Sequence, residues 1–362
     1  MGKRTAWAAS AALAMAITGS AAVVGAQHRE ATLAVTMIND PTANAIKVYD
    51  AGSGALVQTL STRGKGGVGG NAWGVKQYKG ELIAAVNYGS NTVAIYRRDG
   101  ARLTFEQLVT TTSAPVSVDF GNGHMYVAGT TTVDSFVLTQ SRVQGMDGTA
   151  ALELAGGGTP AAGSTAQVGV VNDSRLLVTV KTDPEPGTVD VVALDETGAI
   201  AGGVEAVSAP AGTLTPFGFS VYPDGTALIT LAHSSQDGLF RGAAFTAVIA
   251  AGQSAPCWTT RVGKYVFTAN TGSGTISRLV GTGSNVFVDA LVAATIATGA
   301  PSDIDADGGV LGVLSRGGGA SSVSLFTYNS FGELTAHGAP IPIGVPGANG
   351  VAIVPPVDHI DR

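Results

Sequence analysis

A single cysteine, Cys257, stands in a chain of 362 residues, so no internal disulfide can form. Outside a reducing compartment, packing must therefore hold the fold together. Charge is scarce too: 13% of residues are charged, the net charge is −6, and no basic run occurs. That balance argues against a nucleic-acid partner, which would need clustered Lys and Arg. No segment after the N-terminal stretch is apolar for long enough to cross a membrane as a helix. HExxH, CxxC and Gly-x-Ser-x-Gly are all absent. The five histidines (His28, His124, His233, His337 and His359) show no metal-ligand spacing, so no metal is expected.

What the chain has is glycine, 51 residues of it, within a composition that is 45% hydrophobic. That is too apolar for disorder and too rich in glycine for a helical protein. The N-terminus carries Lys3 and Arg4, then small and apolar residues to Val24-Gly25-Ala26. A charged start, an apolar middle and small residues at the end describe a secretory leader cut after Ala26. An uncleaved anchor would need an apolar stretch not diluted by Ser, Thr and Gly. We expect a leader over 1–26 and one domain over 27–362, secreted or periplasmic, monomeric and free of the membrane after cleavage. No cysteine follows the cut to carry a lipid.

The decisive feature is a phrase written twice. Asn87-Tyr88-Gly89-Ser90-Asn91-Thr92 is echoed by Asn270-Thr271-Gly272-Ser273-Gly274-Thr275, each between two apolar runs. Aligning on it yields seven copies of a β-rich hairpin, beginning near residues 32, 82, 125, 176, 227, 265 and 310. The spacing is that of a propeller blade, roughly 40–50 residues. The second run of each hairpin includes AIKVYD, TVAIYRRDG, TVDSFVL and, in the fifth copy, FTAVIA. A further short element recurs: NAWGV, APVSV, AQVGV, TPFGF, APCWT, APSDI and ANGVA. The first hairpin has no such element before it, and the last element, at 348–352, has no hairpin after it. This offset predicts an all-β, seven-bladed propeller whose C-terminal strand joins the N-terminal hairpin and closes the ring. Closure removes the unpaired edges that an open stack would expose. The echoed phrase then reads as a hairpin turn, with Gly supplying the positive φ.

In a propeller the turn after the second strand and the start of the innermost strand share one face. The turn ring comprises Asn39, Asn87, Thr130, Lys181, His233, Asn270 and Arg316. The inner-strand ring includes Asn71, Trp73, Gln167, Phe217, Cys257, Trp258, Asp303 and Asn349. A structural turn gains nothing special from Lys181, His233 and Arg316, so these three are the catalytic candidates. Together they could hold a carboxylate or phosphate and stabilise an oxyanion. His233 could act as acid or base, as imidazoles do, and Asp303 or Asp183 could orient it or serve as base instead. Solubility alone would also place charged residues in surface turns. Trp73, Asn87, Gln167, Cys257, Trp258, Asn270, Asp303 and Asn349 are the ligand-binding candidates. The default reading of Cys257 is a small buried hydrophobe, and Trp73 and Trp258 either stack a ligand or plug the channel. GKGGVGGN (64–71) lacks the P-loop order and reads as a flexible loop. DIDADGG (303–309) lacks the distal Glu of a calcium loop and reads as a turn between strands.

The phrases GQSAPCW (252–258), YVFTANTGSGTISRLV (265–280), LIAAVNYGSNTVAIYRRD (82–99) and TPFGFSVYPDGTALIT (215–230) carry a resemblance. With them the chain resembles the seven-bladed propeller lactonases, called carboxymuconate cyclase-like or 6-phosphogluconolactonase-like. The resemblance implies a lactone-forming or lactone-opening site in the central channel, using His, Glu and Arg, and no cofactor. His233 and Arg316 match two of those types, while no Glu falls in either ring. Two readings follow: an exported enzyme acting on a small lactone or sugar-acid-like molecule, or a non-catalytic exported propeller binding a ligand, cell-wall component or protein.

Overall fold

In the computed structural model, residues 1–2, 31–140, 142–181, 187–283 and 285–357 are described, so residues 3–26 of the expected leader lie outside them. Among the described residues, seven antiparallel sheets are arranged as blades, six of four strands and one of five. We number them I to VII along the chain. Their innermost strands are Asn349–Val354, Val75–Tyr78, Pro115–Gly121, Thr165–Asn172, Pro216–Val221, Pro256–Val262 and Ala300–Asp307. Among the second strands, Leu33–Met37, Leu82–Asn87 and Tyr265–Asn270 are buried at every position, and the others are buried over most of their length. Neighbouring blades cover both of their faces, so each reads as an unbroken apolar run instead of alternating. The outermost strand has solvent beyond it, and Asn285–Thr295 of blade VI shows mixed exposure.

Ring closure is as the offset repeats require. Asn349–Val354, the innermost strand of blade I, pairs antiparallel with Leu33–Met37 in a register running from Leu33 opposite Val354 to Met37 opposite Asn349. Arg98 fastens the two chain ends from blade II. Its guanidinium donates to the carbonyl oxygens of Pro355 at 2.6 Å and Val354 at 3.2 Å, and to that of Ala31. Charge-assisted bonds of this kind are stronger than neutral ones.

The innermost strand of each blade has an edge facing the axis, and its N–H groups need acceptors. Side chains from the preceding blade supply several of them. Ser117 Oγ accepts from Val168, Asp119 Oδ2 from Val170 and Gln167 Oε1 from Phe219. At the closure, Asp303 Oδ2 accepts from Val351 and Asp305 Oδ2 from Ile353.

Four local expectations change. In blade V the third strand is Gln236–Arg241, and FTAVIA lies in the outer strand, Ala244–Ala250. Asp237-Gly238 looks like turn chemistry but is buried strand, so tertiary packing overrides propensity here. In blade II, NAWG is not strand; pairing starts at Val75. Residues 303–307 of DIDADGG belong to the innermost strand of blade VII, leaving the turn to Gly308 and Gly309. Finally, the left-handed position of the echoed turn is Asn91 (φ 53°) in one copy and Gly274 (φ 65°) in the other. Gly89 and Gly272 serve close approach instead: a Cβ at Gly272 would stand 2.5 Å from Ser254 Oγ.

Candidate functional site

Residues 71–74 cross the axis and plug the channel. Ala72 donates its N–H to Ala166 O in blade IV at 3.0 Å, and Val118 of blade III donates to Trp73 O at 3.1 Å. Asn71 Nδ2 donates to Val116 O, Asn349 Nδ2 donates to Asn71 Oδ1, and the Trp258 indole N–H from blade VI donates to Asn71 O. Such closeness requires Gly74, where a Cβ would lie 2.6 Å from Asn349 Oδ1. Trp73 packs against Phe219, ring centroids 6.3 Å apart, and Lys76 Nζ stands 3.4 Å from its ring centroid. Both tryptophans therefore take part in the plug.

Beside the plug a cavity of about 450 Å³ opens on the face carrying the second turns. Gly70 borders the plug side, Ala161 to Ser164 come from the loop into blade IV, and Lys181 follows that blade's second strand. Blade V contributes Thr215, Phe217, Ala232 and His233, and blade VI contributes Cys257. Three sequence candidates, Lys181, His233 and Cys257, thus share one wall-to-wall space.

The Lys181 ammonium donates to the carbonyl oxygens of Gly163 and Thr165. Burial against apolar neighbours lowers its pKa to about 8. No carboxylate among the described residues forms an ion pair with it. His233 sits in a single 3₁₀ turn, Ala232–Ser234, and is exposed at the cavity rim. Its Nδ1 lies 2.9 Å from Thr215 Oγ1, which leaves Nε2 for a ligand. Thr215 itself has φ 62°, an uncommon conformation for a β-branched residue. Burial pushes the Cys257 thiol up to about 11, so at neutral pH it is a small apolar wall group and not a thiolate. Phe217 stands edge-on to Trp258, centroids 5.2 Å apart at 77°. The indole bond to Asn71 holds that pair in place.

The other candidates lie elsewhere, bonded to the framework. Arg316, in blade VII, does not line the cavity; its Nε and Nη2 donate to Ala348 O. Asn87 accepts from Asn44 Nδ2 and donates to Thr62 O, and Asn270 donates to Thr275 Oγ1 and Ser277 Oγ. Gln167 bridges to both backbone groups of Phe219. Asp303 is buried among backbone donors at the closure, and desolvation raises its pKa to about 8. Asp183, His28 and His359 lie outside the described residues. His124 is buried, with its ring nitrogens on Asn122 O and Asp147 Oδ2, and His337 contacts Gly52 O. Among the described residues no cluster of three or more His, Cys, Asp or Glu could hold a metal ion. No helix there is long and apolar enough to cross a membrane.

Reading the sequence alone offered plugging by Trp73 and Trp258 as one of two alternatives, but missed Thr215, the alanine-rich loop at 161–162 and the part that the 71–74 backbone plays in the plug. None carries a local signal: Thr215 matters through its backbone angle, and the other two matter through where the ring brings them.

No protein-family model matches the chain, and no curated protein does. Solved structures do. A protein provisionally named 6-phosphogluconolactonase from Bacteroides uniformis aligns with TM-score 0.63 at 16% identity, covering 89% of this chain and 99% of its own. Its counterpart from Bacteroides fragilis gives 0.62 at 15%, covering 90% and 98%. The chain has their fold. The fold also aligns with the virginiamycin B lyase of Staphylococcus aureus solved with quinupristin (TM-score 0.54, 14% identity, 78% and 92% covered). At such identities the likeness speaks for the architecture, so chemistry must be argued from the cavity.

Proposed function

We propose that the protein is an exported, lactonase-like propeller that opens or forms a small lactone in the cavity beside the plug. The observation that carries this reading is the convergence of Lys181 and His233 on one partly enclosed, largely apolar space. A lactone carbonyl directed at Lys181 would find an ammonium, with no carboxylate among the described residues to neutralise it, where negative charge develops on water attack. Nε2 of His233 would take the proton of that water and return it to the ring oxygen as the C–O bond breaks. The product is the hydroxy acid, whose carboxylate stays against Lys181. The reverse sequence closes the ring with loss of water. The names of the structural neighbours favour the same class of small molecule.

The test is turnover of a panel of aliphatic, aromatic and sugar lactones, followed by proton release. We expect His233→Ala to lower kcat about 100-fold or more, the scale of general acid–base catalysis, without loss of fold by circular dichroism. Failure of the well-folded wild type to open any lactone would leave the cavity as the binding site of a non-catalytic exported propeller. Export predicts a mature chain beginning at Gln27, read by mass spectrometry of protein recovered from outside the cytoplasm. A chain retaining Met1 there would overturn it.

A further inference from the structure

The cavity's wall chemistry narrows what it can hold. Among the described residues Lys181 is its only lysine or arginine, and two of the three ammonium hydrogens already go to Gly163 and Thr165. One donor and one charge remain, which suits a single carboxylate oxygen. A phosphate monoester brings nearly two charges and three strong acceptor oxygens. Among the described residues no second lysine or arginine lines the cavity to supply a second cation, because Arg316 is spent on Ala348 outside. The lining contains few groups able to bond to hydroxyls. The Thr215 hydroxyl is engaged with His233, so Ser164 and His233 Nε2 are the side-chain partners left, and the remaining walls are Phe217, Ala161, Ala162, Ala232 and the un-ionised Cys257. Most hydroxyls of a polyhydroxylated ligand would lose water without gaining a side-chain partner. The apolar wall is also pre-set, since Phe217 rests on Trp258 and Trp258 on Asn71. A rigid apolar surface beside one cation costs little ordering when it binds.

We infer that this cavity selects a monocarboxylate, or the lactone of one, carried on an apolar body, and discriminates against phosphorylated and polyhydroxylated sugar acids. The inference rests on the preceding reading for the location of the site but does not require turnover. The carboxylate pairs with Lys181, and an aromatic ring or short alkyl chain lies along Phe217 and the alanines.

The experiment measures binding of 3-phenylpropanoate, hexanoate, gluconate, 6-phosphogluconate and inorganic phosphate by titration calorimetry and ligand-observed NMR. Wild type is compared with Lys181→Met and Phe217→Ser, each checked for an unchanged melting profile. We expect 3-phenylpropanoate to bind at least tenfold more tightly than gluconate, 6-phosphogluconate or phosphate. Lys181→Met should cost at least tenfold for both apolar carboxylates, and Phe217→Ser should weaken phenylpropanoate more than hexanoate. Raising the pH from 7 to 9.5 should weaken the wild type as Lys181 loses its proton. His233 and Cys257 are the other titratable groups of the lining, so the same shift must vanish in Lys181→Met.

Tighter binding of the sugar acids or phosphate, equal binding by Lys181→Met, or no binding of the apolar carboxylates at all would each overturn the inference. Carboxylate binding without turnover of any lactone would sink the enzyme reading and leave this one standing. Turnover confined to sugar lactones would do the reverse.

Discussion

Truncation after Ala348 is expected to abolish the folded state, not to trim it. The strand removed, Asn349–Val354, is buried at all six positions. Val351, Ile353 and Val354 each lose a burial worth about 2 kcal/mol, and Ala352 somewhat less. That sum, about 7 kcal/mol, already matches the total stability of many domains, about 5–15 kcal/mol. The loss does not end there. Leu33–Met37 becomes an edge, and Thr36 Oγ1 loses its acceptor, Gly350 O. Asp303 and Asp305 lose the N–H donors of Val351 and Ile353, leaving carboxylates without those donors at the closure. Size-exclusion chromatography and a thermal melt of chain 27–348 would show aggregation or no cooperative transition. A monomer melting within a few degrees of full length would mean that the closure contributes little.

The second large effect is a fall in stability as the pH rises from about 4 to about 8. Desolvation raises the buried carboxyls of Asp190 and Asp237 to about 7 and that of Asp303 to about 8. The ordinary aspartate value is 3.8, so through this window the folded state keeps protons that the unfolded chain has released. Folding is therefore favoured at low pH, and the advantage is lost up to the folded pKa, beyond which the curve flattens for each group. A shift of about 3 units corresponds to about 4 kcal/mol for a single carboxyl. Asp237 is the clearest case, because neither of its oxygens has a hydrogen-bond partner. Replacing it with Asn removes the ionisation. Urea unfolding at pH 5 and pH 8 should show wild type losing several kcal/mol between them, and Asp237→Asn losing about 3 kcal/mol less, because only the part of the window above pH 5 is sampled. Parallel pH curves for the two proteins would refute this.

Such carboxyls were not legible as strained in the sequence. Asp237 followed by Gly238 has the composition of a turn, and only the pairing of Gln236–Arg241 with Ala227–Leu231 shows that it lies within a strand. The inner-ring amides and acids were a related case. Gln167, Asp303 and Asn349 have the chemistry of ligand binders, and the structure places the first two on backbone groups of adjoining blades and the third on the Asn71 side chain of the plug. A side chain's partner depends on which strand faces it across the axis, and a residue's own neighbours in the chain carry no record of that.

Repetition at one period, with the first hairpin missing its inner strand and the last inner strand missing its hairpin, was enough to determine the blades, their number and the closure. That information is local: strand propensity and turn chemistry act over a few residues, and the period does the counting. The same local logic put Lys181, His233 and Cys257 on one face, where they line one cavity. What only the tertiary structure decided is which of them meet. Lys181 and His233 approach because blades IV and V are neighbours and 71–74 fill the axis. Arg316, at the corresponding turn of blade VII, is drawn away by the Ala348 carbonyl. The site is assembled from residues roughly 190 positions apart, from Gly70 to Cys257, and contacts at that separation arise from ring geometry, which no single stretch of sequence encodes.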